Sequence, residues 1–392
     1  MKIRLLHIQL LPLLSGVQKM MLMLLDSLDK EKYEIYVICK PGGPLTARLL
    51  DSGYHYLPVK SLRRNISLWD PIALFHIYLL CRKYSFDVVH THSSKTGFIG
   101  RIAARSAGVP KIIHTVHGFP FHTHQLPVAR YFYLLMEIFV SFFCNYLVIV
   151  NNYERVWALK SKLFSRKKVL TIHNGIDHYS EIQPRKYGIK GVKKPSKTNP
   201  ELVDYFVYGT VARFTRAKNI VNLTRVAISV CRDNPQIKFV FIGDGELWDK
   251  CFDLVASAGL HRQILMPGWQ NNIDYWLKNI DVFVLYSNWE GLSISILEAM
   301  SLGIPVIASD IKGNNELIDN SNGILVQLDD HVRLRKTLLE VPQRIDDLNL
   351  WSRNTLTKCQ SEFGLDRFVN SYEKLYLSKI GYNIHDISDL VS

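Results

Sequence analysis

Cysteine is scarce and unpaired in this sequence, which limits the classes of protein it can represent. Its 392 residues include six cysteines, with no Cys-x-x-Cys pair and no cysteine or histidine spacing typical of a zinc site. This pattern argues against a disulfide framework and indicates reduced thiols in the core of a cytosolic protein. A secretory leader is not expected, because Lys2 and Arg4 carry charge in residues 1–8, which have the pattern of a first strand.

Long uncharged apolar runs are also lacking. The most apolar segment, 126–150, contains two charges, Arg130 and Glu137. A transmembrane helix needs about 20 consecutive apolar residues, whereas this segment has Glu137 near its middle and passes into a strand-like run at 146–150. We therefore expect a helix that is buried or lies at a membrane interface, followed by a strand, and not a membrane span.

Acidic residues are scarce in the first half of the chain. Up to Arg185 there are 24 Lys and Arg against 11 Asp and Glu, whereas the remainder has 24 of each, so the net charge of +13 lies entirely in the first half. A basic half indicates an anionic partner, either nucleic acid or a membrane surface. No nucleic-acid-binding motif accompanies the charge, and the apolar segment favours the membrane. One basic cluster suited to anionic headgroups comprises Lys160, Lys162, Arg166, Lys167 and Lys168.

A strand, loop, helix, turn and strand pattern is present at 280–308. The apolar run 282–285 is typical of a strand buried on both faces. Ser293 and Ser295 are residues that begin helices, and Gly303 and Pro305 separate the helix from the next strand. The pattern predicts one βαβ unit.

Two carboxylates lie in this unit, Glu290 in the loop and Glu298 in the helix. In open α/β sheets, ligands bind at the carboxyl ends of strands. A helix N-terminus there favours a phosphate, and carboxylates accept hydrogen bonds from sugar hydroxyls. The pattern suggests a site for a nucleotide diphosphate sugar, although the spacing alone leaves open a pair of solvated carboxylates.

The context of these glutamates resembles the donor-site signature of glycosyltransferase family 4. Glu290 begins a Glu-Gly-Leu motif, and Glu298 lies in Leu-Glu-Ala-Met, followed by Gly-Ile-Pro-Val-Ile-Ala. Members of this family are retaining transferases of the GT-B fold. The resemblance implies an α/β protein with two Rossmann-like domains whose parallel sheets face a central cleft.

The resemblance covers nearly the whole chain and implies a domain order. Residues 1–185 are expected to form an acceptor-binding domain, and residues 201–364 a nucleotide-sugar donor domain. The segment 186–200, rich in Lys, Gly and Pro, is predicted to link them. The amphipathic segment 365–380 is expected to be a final helix that crosses back to the first domain.

Family roles carry over to residues that match its motifs. Arg213 and Lys218 match an Arg-x4-Lys pattern, and two fixed cations would hold the diphosphate and stabilise charge on the leaving group. Gly16 is expected to approach the phosphate. Two departures are present, since Ser15 and Ala212 stand where the family usually has glycine.

The carboxylates and one histidine are expected to contact the sugars of the donor. The resemblance assigns Glu290 to the hydroxyls of the transferred sugar and Glu298 to the ribose. His117, in a His-Gly loop, is expected to position the transferred sugar. The other expected donor contacts are Gly243, Gly245, Gly291, Leu292 and Ser293.

The acceptor side is predicted from polar residues in the first half. We expect His92, Ser94, Lys95 and His122 to contribute to it. His90 and His92 are two residues apart, but no third ligand follows nearby, so no metal site is predicted. No Asp-x-Asp triad is present, in keeping with the metal independence usual for the fold, and no cofactor is expected.

The function implied is transfer of a hexose or N-acetylhexosamine from a UDP-sugar to an undecaprenyl-diphosphate-linked sugar. The likeness is to bacterial enzymes of O-antigen or capsule assembly, which implies work at the anionic cytoplasmic face of the inner membrane and no nucleic-acid partner. Three alternatives remain open. They are a GT-B-fold nucleotide-sugar 2-epimerase, a non-catalytic sugar-nucleotide binder and a basic nucleic-acid binder.

Overall fold

The computed structural model describes residues 2–119, 126–177, 182–188 and 197–378. These belong to two structural units, the first formed by Met1–Gly175 with Leu365–Ser392 and the second by Ile176–Gly364. Each unit is built on one parallel β-sheet. The predicted α/β class with two Rossmann-like domains is confirmed.

The first unit contains a seven-stranded sheet in the order β3-β2-β1-β4-β5-β6-β7. Its strands are β1 (Ile3–Ile8), β2 (Tyr33–Cys39), β3 (His55–Pro58), β4 (Val88–His92), β5 (Lys111–Val116), β6 (Tyr146–Ile149) and β7 (Val169–Thr171). Its helices are α1 (Gly16–Ser27), α2 (Pro44–Asp51), α3 (Asp70–Tyr84), α4 (Ser94–Ser106), α5 (Pro127–Ser141) and α6 (Asn152–Ser161), with α14 (Leu365–Leu377) from the end of the chain.

The second unit contains a six-stranded sheet in the order β10-β9-β8-β11-β12-β13. Its strands are β8 (Phe206–Val211), β9 (Ile237–Ile242), β10 (Ile264–Gly268), β11 (Val282–Leu285), β12 (Val306–Ser309) and β13 (Gly323–Val326). Its helices are α7 (Ile220–Asp233), α8 (Trp248–Ser257), α9 (Ile273–Lys278), α10 (Ile294–Ser301), α11 (Asn314–Leu317), α12 (His331–Glu340) and α13 (Ile345–Glu362), with 3₁₀ turns at Arg216–Lys218 and Val341–Gln343.

Strand order fixes where each unit can bind a ligand. In the first sheet, β2 and β3 lie on one side of β1, and β4 and the later strands lie on its other side. The strand order reverses in the same way between β8 and β11 of the second sheet. Loops leave these neighbouring strands toward opposite faces, which opens a crevice at their carboxyl ends. The predicted β11-α10-β12 unit borders the second of these crevices and is confirmed in its type and order.

The apolar segment near residue 137 forms a helix and then a strand, as predicted. Helix α5 has 15 residues and is about 22 Å long, short of the roughly 30 Å of a bilayer core. Glu137 points inward, where Arg101 Nη2 lies 2.8 Å from Glu137 Oε1 and both side chains are almost fully buried. Within the described residues, no helix has the length and hydropathy needed to cross a membrane.

Helix α14 packs on the first unit. Tyr372 and Leu375 are buried in the same core as the residues of β1 and β2. The ammonium of Lys111 on β5 donates to the carbonyl of Leu375 at 3.1 Å and to that of Tyr376 at 2.5 Å. Burial lowers the pKa of Lys111 to about 8.

The division between the units falls before the boundary that the sequence suggested. Residues up to 185 were expected in the first domain, but the first unit ends at Gly175. The guanidinium of Arg185 donates to the carbonyls of Leu277 and Ile280, and Tyr187 lies in the core of the second unit. Part of the predicted linker, 189–196, lies outside the described residues.

Candidate functional site

An ion pair lies at the crevice of the second sheet. Lys218 ends the 3₁₀ turn after β8, and its Nζ lies 2.5 Å from Oε1 of Glu290, in the loop after β11. Ser287 Oγ donates to the same carboxylate oxygen at 2.6 Å. The structure therefore brings together two of the predicted site residues, and it adds Ser287, which had not been predicted.

The two loops that carry this pair are joined through their backbones. Asn288 N donates to the carbonyl of Ala217 at 2.8 Å, and Asn288 Nδ2 donates to that of Arg216 at 2.7 Å. From beneath, Ser309 Oγ on β12 donates to the carbonyl of Ser287 at 2.7 Å. These contacts hold the Lys218 and Glu290 side chains in a fixed relation before any ligand binds.

Arg213 lies two residues beyond β8, in the same connection as Lys218. Its side chain is exposed, whereas the Lys218 side chain is only 22% exposed. Both cations thus belong to one loop at the carboxyl end of the strand beside the crevice, as a phosphate site requires.

Two glycines let neighbouring loops approach this site closely. Gly243, directly after β9, has φ +133°, and a Cβ there would lie 1.9 Å from the carbonyl oxygen of Ala212. Gly313 has φ +95°, and a Cβ there would lie 2.1 Å from the carbonyl oxygen of Gly291. Their positions are explained by backbone packing around the loops that carry Arg213 and Glu290, and contact of Gly243 or Gly245 with a nucleotide stays a prediction.

Helix α10 begins at the same crevice. Ser293 caps it, since its Oγ accepts a hydrogen bond from the backbone N–H of Ile296 at 3.4 Å. Leu292 is buried beneath the loop, and Glu298 is half-buried in the second turn. The N–H groups at this helix start are suited to an anion.

The first unit presents a very different set of side chains at its crevice. Strands β1 and β4 are neighbours in register, with His7 opposite His90, and His92 ends β4. His7 Nδ1 lies 3.0 Å from His92 Nε2, and His92 Nδ1 lies 3.1 Å from Nε2 of His117. The predicted sugar-positioning histidine is thus hydrogen-bonded to a predicted acceptor-side residue.

Burial keeps these histidines neutral. Desolvation lowers the pKa of His7 to about 3 and that of His117 to about 4. The pKa values of His90 and His92 lie well below the usual range for the same reason, assisted by repulsion from neighbouring imidazoles. His92 is therefore a buried, hydrogen-bonded group and not an exposed surface ligand.

The other first-unit residues lie around the same crevice. Gly16 is the first residue of α1, and Ser94 is the first of α4. Lys95 Nζ lies 2.7 Å from Asp70 Oδ1, so its charge is already paired with a carboxylate at the start of α3. His122 lies outside the described residues.

A possible metal-ligand group is also present where the sequence had suggested none. Ring nitrogens of His7, His90 and His92 lie within 4.8 Å of one another. The third ligand comes from β1, distant in sequence but adjacent in the sheet. Each of these nitrogens already takes part in a hydrogen bond, so a metal would have to replace bonds that satisfy the cluster.

Two Rossmann-like units, each built on one parallel sheet, are the architecture of the GT-B fold class. Among solved structures, Anabaena Alr3699/HepE in complex with UDP and glucose matches with a TM-score of 0.78 at 15% identity, covering 95% of this chain and 99% of that one. The sucrose-phosphate synthase of Thermosynechococcus elongatus matches with a TM-score of 0.78 at 16% identity, over 96% and 98%.

Sequence comparisons identify the family. Residues 14–179 match the model "Glycosyltransferase Family 4", and residues 193–347 match "Glycosyl transferases group 1". The chain is 38% identical to an Escherichia coli UDP-Gal:alpha-D-GlcNAc-diphosphoundecaprenol alpha-1,3-galactosyltransferase, over 97% of this chain and 98% of that protein. It is 25% identical to the capsular polysaccharide biosynthesis glycosyltransferase CapM of Staphylococcus aureus, over 78% and 80%. The chain belongs to this family of GT-B glycosyltransferases and is a hexosyltransferase.

Sequence reasoning missed two parts of the site. Ser287 follows β11 by two residues, and the general expectation of polar side chains just beyond a buried strand was the signal that could have found it. His7 lies within a strand, where a lone histidine reads as core. Only its pairing with His90 across β1 and β4 reveals its neighbours.

Proposed function

We propose that this protein transfers a hexose or N-acetylhexosamine from a UDP-sugar to a sugar carried on an undecaprenyl diphosphate, with retention of anomeric configuration. The product would enter a bacterial O-antigen or capsule. The observation that carries the proposal is the Lys218–Glu290 pair at the switch point of the second sheet. The printed name of the E. coli relative, which gives UDP-Gal and a GlcNAc-diphosphoundecaprenol acceptor, supports the substrate classes.

Lys218 and Arg213 stabilise the departing diphosphate in this proposal. Breaking the bond between the sugar and UDP places negative charge on the leaving phosphate. Cations that are held in place before the reaction stabilise that charge without reorganisation. Lys218 is such a cation, because the Glu290 carboxylate holds its ammonium at 2.5 Å.

Glu290 recognises sugar hydroxyls and is not the nucleophile. Its Oε1 accepts from both Lys218 and Ser287, which fixes the carboxylate and leaves Oε2 to face a ligand. A double displacement would need a carboxylate free to attack the anomeric carbon. We infer that the acceptor hydroxyl attacks from the face that the diphosphate leaves, and that a phosphate oxygen takes its proton. No metal takes part in this scheme.

A lipid-linked acceptor requires the enzyme to meet a membrane, and α5 offers a suitable face. Arg130 is exposed on this helix, and the five large side chains that are also exposed are apolar and recur at helical spacing. They are Val128, Tyr131, Phe132, Leu135 and Phe139. The opposite side of α5 is fixed to α4 through the buried Glu137–Arg101 pair, so the apolar stripe stays outward and can enter the headgroup region.

Helix α3 carries a second exposed apolar stripe, formed by Ile72, Phe75 and Leu79. Both α3 and α5 pack against α4, so the two stripes lie on the same side of the first sheet. The basic cluster 160–168 adjoins one of them, since Lys168 Nζ donates to the carbonyl of Ser141 at the end of α5 at 3.2 Å. Apolar stripes flanked by cations suit the anionic cytoplasmic face of the inner membrane.

The reaction is tested with purified protein, a panel of UDP-sugars and a synthetic GlcNAc-diphosphate lipid. We expect UDP release that depends on both donor and acceptor, and an α-linked product from UDP-α-D-galactose or another α-linked donor. No turnover of any nucleotide sugar would refute the proposal. Isomerisation of UDP-GlcNAc without acceptor would instead favour the 2-epimerase.

The membrane face is tested by sedimentation with phosphatidylglycerol vesicles. We expect binding at low salt that weakens with salt, and at least tenfold weaker binding by a Phe132→Ser, Leu135→Ser double variant that keeps the thermal unfolding midpoint of the wild type. A Val332→Ser variant is the control, because Val332 is an exposed apolar residue of the second unit. Transfer restricted to soluble acceptors, with no vesicle binding, would remove the membrane from the proposal.

A further inference from the structure

A continuous chain of hydrogen bonds passes through the carboxyl ends of three neighbouring strands of the first sheet. Tyr372 Oη lies 2.9 Å from Thr115 Oγ1, which lies 2.7 Å from His90 Nε2. His90 Nδ1 lies 2.7 Å from Tyr376 Oη, which lies 3.2 Å from His7 Nε2. The chain then continues through His7 and His92 to His117 Nε2. We call these seven residues the histidine chain: Tyr372, Thr115, His90, Tyr376, His7, His92 and His117.

We propose that the histidine chain fixes the tautomer of His117, so that its proton is on Nδ1 and is presented as a hydrogen-bond donor to an oxygen of the sugar nucleotide. His92, His7 and Tyr376 are then positioning residues, which act through His117 and do not touch the substrate. The contact with the sugar nucleotide rests on the proposed function. The tautomer itself follows from the hydrogen-bond chain.

The direction of the chain follows from counting protons. A neutral imidazole carries one ring proton, and a hydroxyl carries one, so each member donates one hydrogen bond. His7, His90 and His92 are buried, and burial favours the neutral form of an imidazole. A hydroxyl that accepted from both of its neighbours would leave its own proton unpaired in the buried core. Full pairing therefore requires the hydrogen bonds to run in one direction along the whole chain.

Tyr372 decides between the two directions. Tyr372 is buried, and among the described residues Thr115 is the only hydrogen-bond partner of its hydroxyl. If Tyr372 donates to Thr115, each later member accepts a hydrogen bond from the member before it and donates one to the member after it. His92 then donates its Nδ1–H to Nε2 of His117. The reverse direction would leave the Tyr372 O–H without an acceptor, at a cost comparable to a lost buried hydrogen bond.

The ring nitrogen of His117 that lies outside the histidine chain is Nδ1. Nε2 is taken by His92, and Nδ1 has no partner within the described part of the chain. Because Nε2 accepts, the neutral ring carries its proton on Nδ1. An N–H at Nδ1 can donate to a sugar hydroxyl or to a phosphate oxygen. In the other tautomer, Nδ1 carries no proton and could only accept a hydrogen bond.

The test is ¹⁵N NMR of full-length protein labelled at histidine, with His117→Gln used to assign the His117 signals. We expect the wild-type spectrum near pH 7.5 to report a protonated Nδ1 and an unprotonated Nε2 at His117. This measurement needs no active enzyme, so it stands apart from any failure of the transferase assay. A protonated Nε2, or zinc bound by the purified protein at His7, His90 and His92, would overturn the assignment.

Tyr376→Phe supplies the second measurement, because it removes the link between His90 and His7, three hydrogen bonds away from His117. We expect the His117 tautomer to become mixed and kcat to fall about tenfold, with little change in KM for the acceptor. Tyr54→Phe is the matched control, since it removes a buried tyrosine hydroxyl bonded to Asp26 at 2.6 Å in the same unit but outside the histidine chain. An unchanged His117 spectrum in folded Tyr376→Phe would refute the proposal.

Discussion

The crevices of the two sheets differ in how they hold their polar residues. In the second unit, Lys218 and Glu290 are charged, lie on loops and remain partly open to solvent. In the first unit, His7, His90 and His92 are neutral, lie within strands and are buried. Charged side chains near solvent are suited to binding a phosphate. Neutral, buried histidines that are hydrogen-bonded to one another are suited to fixing which ring nitrogen of His117 carries the proton. The same reversal of strand order therefore supports two kinds of chemistry in the two units.

The largest expected effect is on the charged crevice. Lys218→Ala removes a fixed cation from the leaving group, so we expect kcat to fall about 10²–10³-fold, the range for one electrostatic stabiliser. Steady-state assays with UDP-sugar measure it, together with thermal unfolding to confirm the fold. Lys336→Ala is the control, because Lys336 is an exposed lysine of the same unit paired with Glu340 at 3.7 Å. Near-normal turnover by Lys218→Ala would remove the charged crevice from the mechanism.

The next largest effect concerns buried charge in the first unit. Glu137→Gln leaves Arg101 without its carboxylate in a site where both side chains are almost fully buried, and breaking such a pair costs about 3–5 kcal/mol. Chemical denaturation measures this loss. Glu340→Gln, at an exposed pair on α12, should cost about 0.5 kcal/mol or less. Equal effects of the two substitutions would mean that the Arg101–Glu137 pair contributes no more than a surface pair.

A smaller effect is expected from acidification. The unfolded chain protonates His7 near pH 6.5, whereas the folded chain does so near pH 3, so the unfolded state binds more protons between these values. Stability therefore falls as the pH drops through this window, by about 1.4 kcal/mol between pH 7.5 and 5.5 for His7 alone. His90 and His92 shift in the same direction.

Hydrogen exchange at the two pH values, corrected for intrinsic rates, measures the acid effect. Amides of β1 and β4 should lose protection at pH 5.5, and His7→Asn should reduce the difference. If protection in these strands is the same at both pH values, the histidines are not buried in their neutral form.

The smallest expected effect is that of a chelator. The ring nitrogens of the three-histidine group are engaged in hydrogen bonds, so we expect EDTA treatment and dialysis to leave transferase activity unchanged. Loss of activity that Zn²⁺ restores would reassign the cluster as a metal site and would make the two crevices electrostatically alike.

How much of each crevice could be predicted depended on how far apart in the sequence its interacting residues lie. The β11-α10-β12 unit was predictable because an apolar run, a capping serine and Gly303 are local signals. Lys218 was assigned to the donor site only through a family motif, and its ion pair with Glu290, 72 residues away in the sequence, was not predicted. The histidine chain was not predicted, because it depends on the register of β1 against β4 and on two tyrosines of α14.

The domain boundary was missed for a similar reason. The basic, proline-containing composition around residue 186 is typical of a linker, yet Arg185 is held by carbonyls that lie more than 90 residues away. The composition of a segment indicates whether it is similar to known linkers. The domain boundary, however, is set by the residues that the segment contacts in the folded protein.

The position of α14 also has a consequence for how the protein is made. The first unit needs segments that precede and follow the second unit in the sequence, because Lys111, Tyr372 and Tyr376 are buried together, whereas Ile176–Gly364 is continuous. During synthesis, domains usually fold in the order in which they leave the ribosome. Here the second unit can finish first, and the unit that begins the chain is completed only when its last residues emerge, so until then its core and strand ends depend on protection from aggregation.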